Sequence, residues 1–351
     1  MNAKSISAQW RPAAILGLLV LLLIAPFVLP TYPLSVLTEI LIFTLFAMSL
    51  NILLGYAGLP SLGHSAFFGT GGYAVGLLAK YLGTPAPLAL LIAIVAGITL
   101  ALITGPFVLR THGAYFLILT LSLTQVLFGI VWLWRRVTGG DDGLPSIPTP
   151  KLPFLLGRVS DTANFYYLTL IVAGIAIATI AWVVRSPFGL ALVGIRENER
   201  YLEGLGYPTW TLKYVAYALA GGYGALAGGL FAYFKGFVGP GQISWLLAGE
   251  GMVMVILGGA GTFWGPAIGA TLVLLLRYEV SAFTQRWVMI LGIVFVLTVL
   301  LLPQGIVRLP DRIREIRAQL RREAPLPQPT VPAHHTSSER TVERVIERSS
   351  Q

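Results

Sequence analysis

Four side chains set in apolar stretches of this sequence could carry protons or hold an ion: His64 and the carboxylates Glu39, Glu250 and Glu279. An imidazole beside a broken apolar run can relay a proton, and a carboxylate deep in a membrane span can bind a coupling cation. The three carboxylates fall near the ends of the expected spans. The runs 86–109 and 164–184 hold no Asp, Glu, Lys, Arg or His. That distribution counts against an ion-coupled carrier, and a lone histidine of this kind reads as a structural hydrogen-bonding group ahead of a proton carrier. Neither HExxH nor GxSxG occurs, so an intramembrane hydrolase is not expected and no catalytic or metal-ligating residue is assigned. The phosphate-binding loop GxxxxGK[ST] is also missing. If the protein moves a solute uphill, the nucleotide chemistry resides on another chain.

Those residues sit in a chain of 351 residues that is 56% hydrophobic and only 11% charged. So few charges do not cover a soluble fold of this size, and repeated apolar runs of about 20 residues point to a bundle of membrane-crossing helices. The expected class is an all-α polytopic membrane protein with spans near 13–30, 34–54, 62–80, 86–109, 113–134, 164–184, 211–234 and 287–302. The run 245–276 would form two shorter re-entrant helices. The total is ten segments, with eight as the alternative. The run 13–30 resembles a signal peptide but is long for one, and it reads as a retained first span. Cysteine is absent, which excludes disulfides and thiolate metal sites.

The net charge of +9 is read against a membrane. Basic residues gather at Lys4 and Arg11, in 185–213 and in Arg308–Arg322, the pattern of cytoplasmic loops and tails. No aromatic-basic platform accompanies them, so nucleic acid is not an expected partner. The expected organisation is a membrane domain over 1–307, with an outer loop at 135–162 and a cytoplasmic loop at 185–213. A tail over 308–351, basic and then disordered, would lie against lipid headgroups.

Seven of the 24 residues from Gly55 to Leu78 are glycine. Within it, "GLPS" (Gly58–Ser61) should end one helix and start another, with Ser61 able to cap free amides and His64 in the next turn. A second interruption is expected in "GGAGTFWGP", around Gly258, Gly259 and Gly261. Broken helices at membrane depth line cavities or are buried in protein, so these residues are the candidate solute pathway. Small residues four apart (Gly72 and Gly76; Ala220, Gly224 and Gly228; Gly261, Gly265 and Gly269) would give smooth faces for close helix packing. The loop "FGLALVGIRENERYLEGLGYP" reads as a short amphipathic helix, with apolar Leu190, Val193, Leu202 and Leu205 around a charged Arg196–Arg200 surface, ended by a turn at Gly204–Gly206. Such a helix suits a partner's groove as well as it suits a solvated loop.

From about Ile40 to Val307 the chain resembles the permease subunits of branched-chain amino acid ABC importers, the high-affinity leucine/isoleucine/valine systems. "GYAGLPSLGHSAFFGTGGY", "TGGDDGLPSIP", "RSPFGLALVGIRENERYLEGLGYPTWTLKYVAYALAGGYGALAGGLFAY" and "MVMVILGGAGTFWGPAIGA" carry the resemblance, in that order. It implies a non-enzymatic inner-membrane subunit of a bacterium or archaeon. Its energy comes from ATP and Mg used by two ATP-binding partner subunits, with no cofactor on this chain. A second, shorter permease and an extracytoplasmic binding protein docking near 138–150 complete the implied assembly, with this chain the longer permease type. By position, Gly189, Arg196, Glu197, Asn198 and Gly206 match the family's ATPase-coupling loop, and Arg196 and Glu197 are expected to contact the ATPase. Two departures stand out. Leu59 and Pro60 replace the family's usual glutamine and leucine, and Ala114 replaces an acidic residue. Urea and short-chain amide importers have similar permeases, so those solutes are the alternative substrates.

Overall fold

A computed structural model describes residues 17, 20–148, 150, 162–283, 289–290, 292–293, 296 and 305–308. The start of the expected first span, much of the expected span 287–302, part of the outer loop (151–161) and the tail from 309 lie outside the described residues. Among the described residues, five helices are long and apolar enough to cross a membrane. They are α1 (Thr31–Asn51, continued by a π turn Ile52–Ala57), α3 (Ala86–Val108), α4 (Ala114–Leu133), α5 (Thr162–Arg185) and α7 (Thr209–Lys235). Between them lie α2 (His64–Tyr81) and α6 (Pro187–Gly204), followed by the pair α8 (Trp245–Gly258) and α9 (Gly265–Phe283). The protein is an all-α polytopic membrane bundle with interrupted helices.

Helix boundaries follow backbone chemistry. Pro30 precedes α1, proline opens α3 and α6, and Gly236 in the left-handed region closes α7. The expected outer loop and the segment after α7 meet in a two-residue antiparallel pair, Leu144 opposite Val238 and Pro145 opposite Phe237. This small sheet element was not expected from the sequence. It satisfies backbone groups that two irregular loops would otherwise leave bare.

α1 and α7 form the centre: 83% of the most apolar window of the α1 span is buried, against 22% for α4. Around them α3, α4 and α5 turn large apolar side chains outward, among them Leu91, Val95, Phe107, Ile118, Val126, Ile175 and Trp182. Outward apolar surface is stable in lipid, where it would not be in water. At the centre Phe43, Phe46, Phe68 and Phe231 pack with ring centroids 5.0–6.2 Å apart, within the range of favourable aromatic pairs.

Glycine sets how closely α2 and α7 cross. A side chain on Gly228 would run into the Phe68 carbonyl, and one on Gly71 into the backbone of Ala225. Gly224 and Gly228 of the expected Ala220–Gly224–Gly228 face therefore meet α2, with Gly224 against His64. Two other expectations are corrected. Gly76 makes room for Val238 and Ile147 of the loops and not for a helix, whereas Gly72 meets Gln242 and Val238 as well as the Gly228 carbonyl of α7, beside the crossing that Gly71 serves. Gly261 lies between helices rather than on one, so α8 and α9 are brought together by Gly258, Gly265 and Gly269. These corrections share one cause: four-residue spacing marks a face but does not say what covers it.

Gly228→Leu should lower the stability of detergent-solubilised protein by about 1–3 kcal/mol, read as a drop in melting temperature. At the outward-facing Gly174 a methyl group would meet nothing within 4 Å, so alanine should be tolerated there without loss.

Candidate functional site

The first interruption begins where α1 widens into the π turn and stops at Gly58, which is left-handed at φ 71° and ψ 24°. The amides of Gly58 and Leu59 both reach the Leu53 carbonyl, Leu59 at 2.9 Å. Pro60 has no amide to offer. Beyond it, two threonines of α4 serve the exposed backbone: Thr120 Oγ1 accepts from the Leu62 amide at 3.2 Å, and Thr124 Oγ1 donates to the Leu62 carbonyl at 3.2 Å. Ser61, fully buried, accepts from the Gly63 amide at 3.1 Å. Ser61 thus meets a free amide as expected, but just ahead of the next helix: Gly63 occupies the cap position without a side-chain bond, and α2 starts at His64. Pro60 and the residues after it keep the backbone out of helix for longer than the expected single break.

His64 is fully buried. Its Nε2 lies 2.7 Å from Ser49 Oγ, and that hydroxyl donates to the Phe46 carbonyl at 2.7 Å. The imidazole therefore donates from Nε2, and Nδ1 has no partner among the described residues. The rings of Phe46 and Phe67 cover it, with centroids at 5.3 and 5.6 Å. Its neighbours are packing groups.

The second interruption lies between α8 and α9, with Gly259 at φ 120° and Gly261 at φ 76°. Asn51, the last residue of α1, reads both polar groups of this backbone. Its Nδ2 donates to the Thr262 carbonyl at 2.9 Å, and its Oδ1 accepts from the Gly261 amide at 3.0 Å. One amide side chain thus joins the two breaks, and the sequence held no sign of it beyond an asparagine in an apolar run.

The expected coupling loop folds as α6, bent at Asn198 (φ −159°, ψ 93°), whose Oδ1 accepts from the Tyr201 amide at 3.1 Å and restarts the helix. Gly206, at φ 85°, makes the expected turn, and Gly189 lets α6 pack against the backbone of Val184. Glu199 holds Lys213, at 2.5 Å, and lies 3.6 Å from His112 of the α3–α4 connection. Arg196 is exposed like its charged neighbours, but its guanidinium reaches back to the helix breaks. Its Nη1 donates to the Gly55 carbonyl at 2.6 Å, its side chain packs on Gly58 and Gly261, and Glu197 holds its other nitrogens at 2.6 and 3.2 Å. The structure therefore brings Gly58, Gly261 and Arg196 together, whereas Ser61 and His64 stand apart among the packing of α2, α4 and α7.

Sequence reasoning missed a second cluster. Glu39 is the ninth of the 21 residues of α1 and is buried, which corrects its expected place near a helix end. It accepts from Lys235 Nζ at 2.8 Å and Tyr278 Oη at 2.5 Å, and pairs with Arg277. Arg277 also binds Glu250 of α8 at 3.1 Å. Two carboxylates and two cations balance, and the rings of Phe43 and Phe234 lie 5.4 and 4.8 Å from Arg277 and Lys235. Lys235 and Arg277 in otherwise apolar helices were the available signal.

Residues 32–299, which hold both breaks, α6 and the ion cluster, match the family described as "Branched-chain amino acid transport system / permease component". The chain belongs to that family. The permease is 28% identical over 317 residues to the high-affinity branched-chain amino acid transport system permease protein LivM of Salmonella typhimurium, covering 83% of this chain and 74% of LivM. It is 29% identical over 317 residues, with the same coverage, to LivM of Escherichia coli. Over 191 residues, 53% of this chain and 50% of the relative, it is 31% identical to the autoinducer 2 import system permease protein LsrC of Escherichia coli. No solved structure matches the chain.

Removing one member of the permease's ion cluster should cost more than removing a pair. Arg277→Met should destabilise by about 3–5 kcal/mol, measured as a fall in melting temperature. Adding Glu250→Gln to that variant should recover part of the loss, since an unpaired buried carboxylate goes with it.

Proposed function

We propose that this permease is the longer membrane-spanning subunit of an ATP-driven importer in the inner membrane of a bacterium or archaeon, and that it carries branched-chain amino acids. The reading assigns no catalysis and no cofactor to this chain. Two partner ATPases supply the energy from ATP and Mg, a second, shorter permease completes the pathway, and a binding protein delivers solute near 138–150. Residues 1–307 form the membrane domain, and 308–351 a cytoplasmic tail.

One observation carries it. α6 is docked on the two helix breaks through Arg196 and leaves Leu190, Glu197 and Tyr201 exposed, with Leu205 exposed just beyond its end. An amphipathic helix that is held to interrupted helices on one face and open on the other is built to receive a partner. Gly189, Glu197, Asn198 and Gly206 give it that shape. Hydrolysis in the ATPases would displace α6, and Gly58, Pro60, Gly258, Gly259 and Gly261 would flex to switch access to the pathway, with Ser61 and His64 shaping the wall beside it. The likeness to the two LivM proteins over 83% of the chain supports the amino-acid substrate. The Leu59–Pro60 and Ala114 departures, with the likeness to LsrC, favour a second reading in which the same machinery carries another small polar solute such as urea or an amide.

Proteoliposomes holding the permease with its partner subunits and binding protein should accumulate radiolabelled leucine only when ATP is supplied to the ATPase side. Hydrolysis without leucine uptake would replace the amino acid by another small solute. Uptake by this chain alone, driven by an ion gradient, would overturn the importer reading.

A further inference from the structure

Within α1 and its π turn each carbonyl normally finds an amide four or five residues on. For Gly55 those partners are Leu59 and Pro60. The Leu59 amide is engaged by the Leu53 carbonyl at 2.9 Å, and Pro60 has none. The Gly55 carbonyl is thereby left for a donor from elsewhere, and Arg196 Nη1 supplies it at 2.6 Å. The same nitrogen lies against Gly261 of the second break, where any side chain would displace it, and the Arg196 stem lies against Gly58. Glu197 grips the remaining edge of the guanidinium, so its orientation is set from α6. Asn51 ties the two breaks to each other beside this point.

We propose that Arg196 is a positioning residue through which α6 moves both helix breaks, with Pro60 creating the carbonyl that it holds. The proposal rests on the importer reading and deepens it: Arg196, although exposed, holds the permease's own backbone through Nη1, and the ATPase is met by the residues around it. A planar, forked donor is needed, because a lysine reaches either Gly55 or Glu197 but does not hold both in one plane. Pro60→Ala restores an amide that competes for the Gly55 carbonyl, so it should weaken the same link from the other side.

The test uses the assembled transporter with its ATPases and is independent of solute identity. The chain has no cysteine, so Ala260→Cys, half-buried in the second break, can report its opening by the rate of maleimide labelling with and without a non-hydrolysable ATP analogue. In the otherwise native complex, nucleotide should change that rate. Arg196→Ala should reduce the nucleotide-dependent change about tenfold or more, the factor equivalent to roughly 1.4 kcal/mol, while the ATPases still co-purify and hydrolyse ATP. Arg196→Lys should fall between, and Pro60→Ala should weaken the response without adding to the loss in Arg196→Ala. A full response in Arg196→Ala, or loss of the ATPases from the Arg196→Lys complex, would overturn the proposal. If Arg196→Ala does not assemble, a full response in Arg196→Lys and Pro60→Ala would overturn it equally. Failure of the unmutated permease to bind any ATPase would refute the importer reading instead.

Discussion

A backbone carbonyl without a donor costs several kcal/mol inside a membrane, where water is not at hand to replace the lost bond. The two described helix breaks of this permease are arranged around that cost. Pro60 withholds an amide, and Gly58 turns the chain out of helix after the π turn. The bare groups are then met by side chains from distant parts of the sequence: Arg196 at Gly55, the α4 threonines at Leu62, and Asn51 at Gly261 and Thr262. A break that depends on distant donors is joined to whatever supplies them. Helix interruption and mechanical connection are one feature here.

The surrounding bundle makes those bonds geometrically possible. Close approach of α2 and α7 through Gly71 and Gly228 draws the helices tight around Phe43, Phe46 and Phe68, where apolar side chains and lipid would otherwise offer little preference for one packing over another. The Glu39–Lys235–Arg277–Glu250 cluster then links α1 and α7 to the α8–α9 pair at a level well removed from Asn51 along α1. Two polar attachments separated by packed apolar surface hold that pair against α1 along its length. Buried charges are weak contributors to stability taken as a set, but they penalise misplacement of any one partner.

Much of this is legible in the residues. Apolar run length locates the long helices, and proline with glycine marks both interruptions, because lipid leaves a chain few alternatives to helix. The amphipathic pattern of 187–204 and the turn at Gly206 also follow from local chemistry. What escapes are the partners. Hydropathy puts Glu39 near a helix end, whereas it is buried at mid-helix by cations 196 and 238 positions away. Its charged neighbours make Arg196 look like part of an outward surface, and it is exposed, but its guanidinium also reaches the bare Gly55 carbonyl. Spacing alone puts Gly261 on a helical face that it does not occupy.

The sequence by itself determined that the protein is a helical membrane bundle and where its helices break. These depend on interactions along the chain: hydropathy over a span, a proline's absent amide, a glycine's freedom at positive φ. Tertiary structure alone decided which side chain answers each break and which charges cancel. Those choices depend on residues brought together from far apart in the chain, and neither periodicity nor composition encodes the direction in which Asn51, Arg196 or Arg277 reaches.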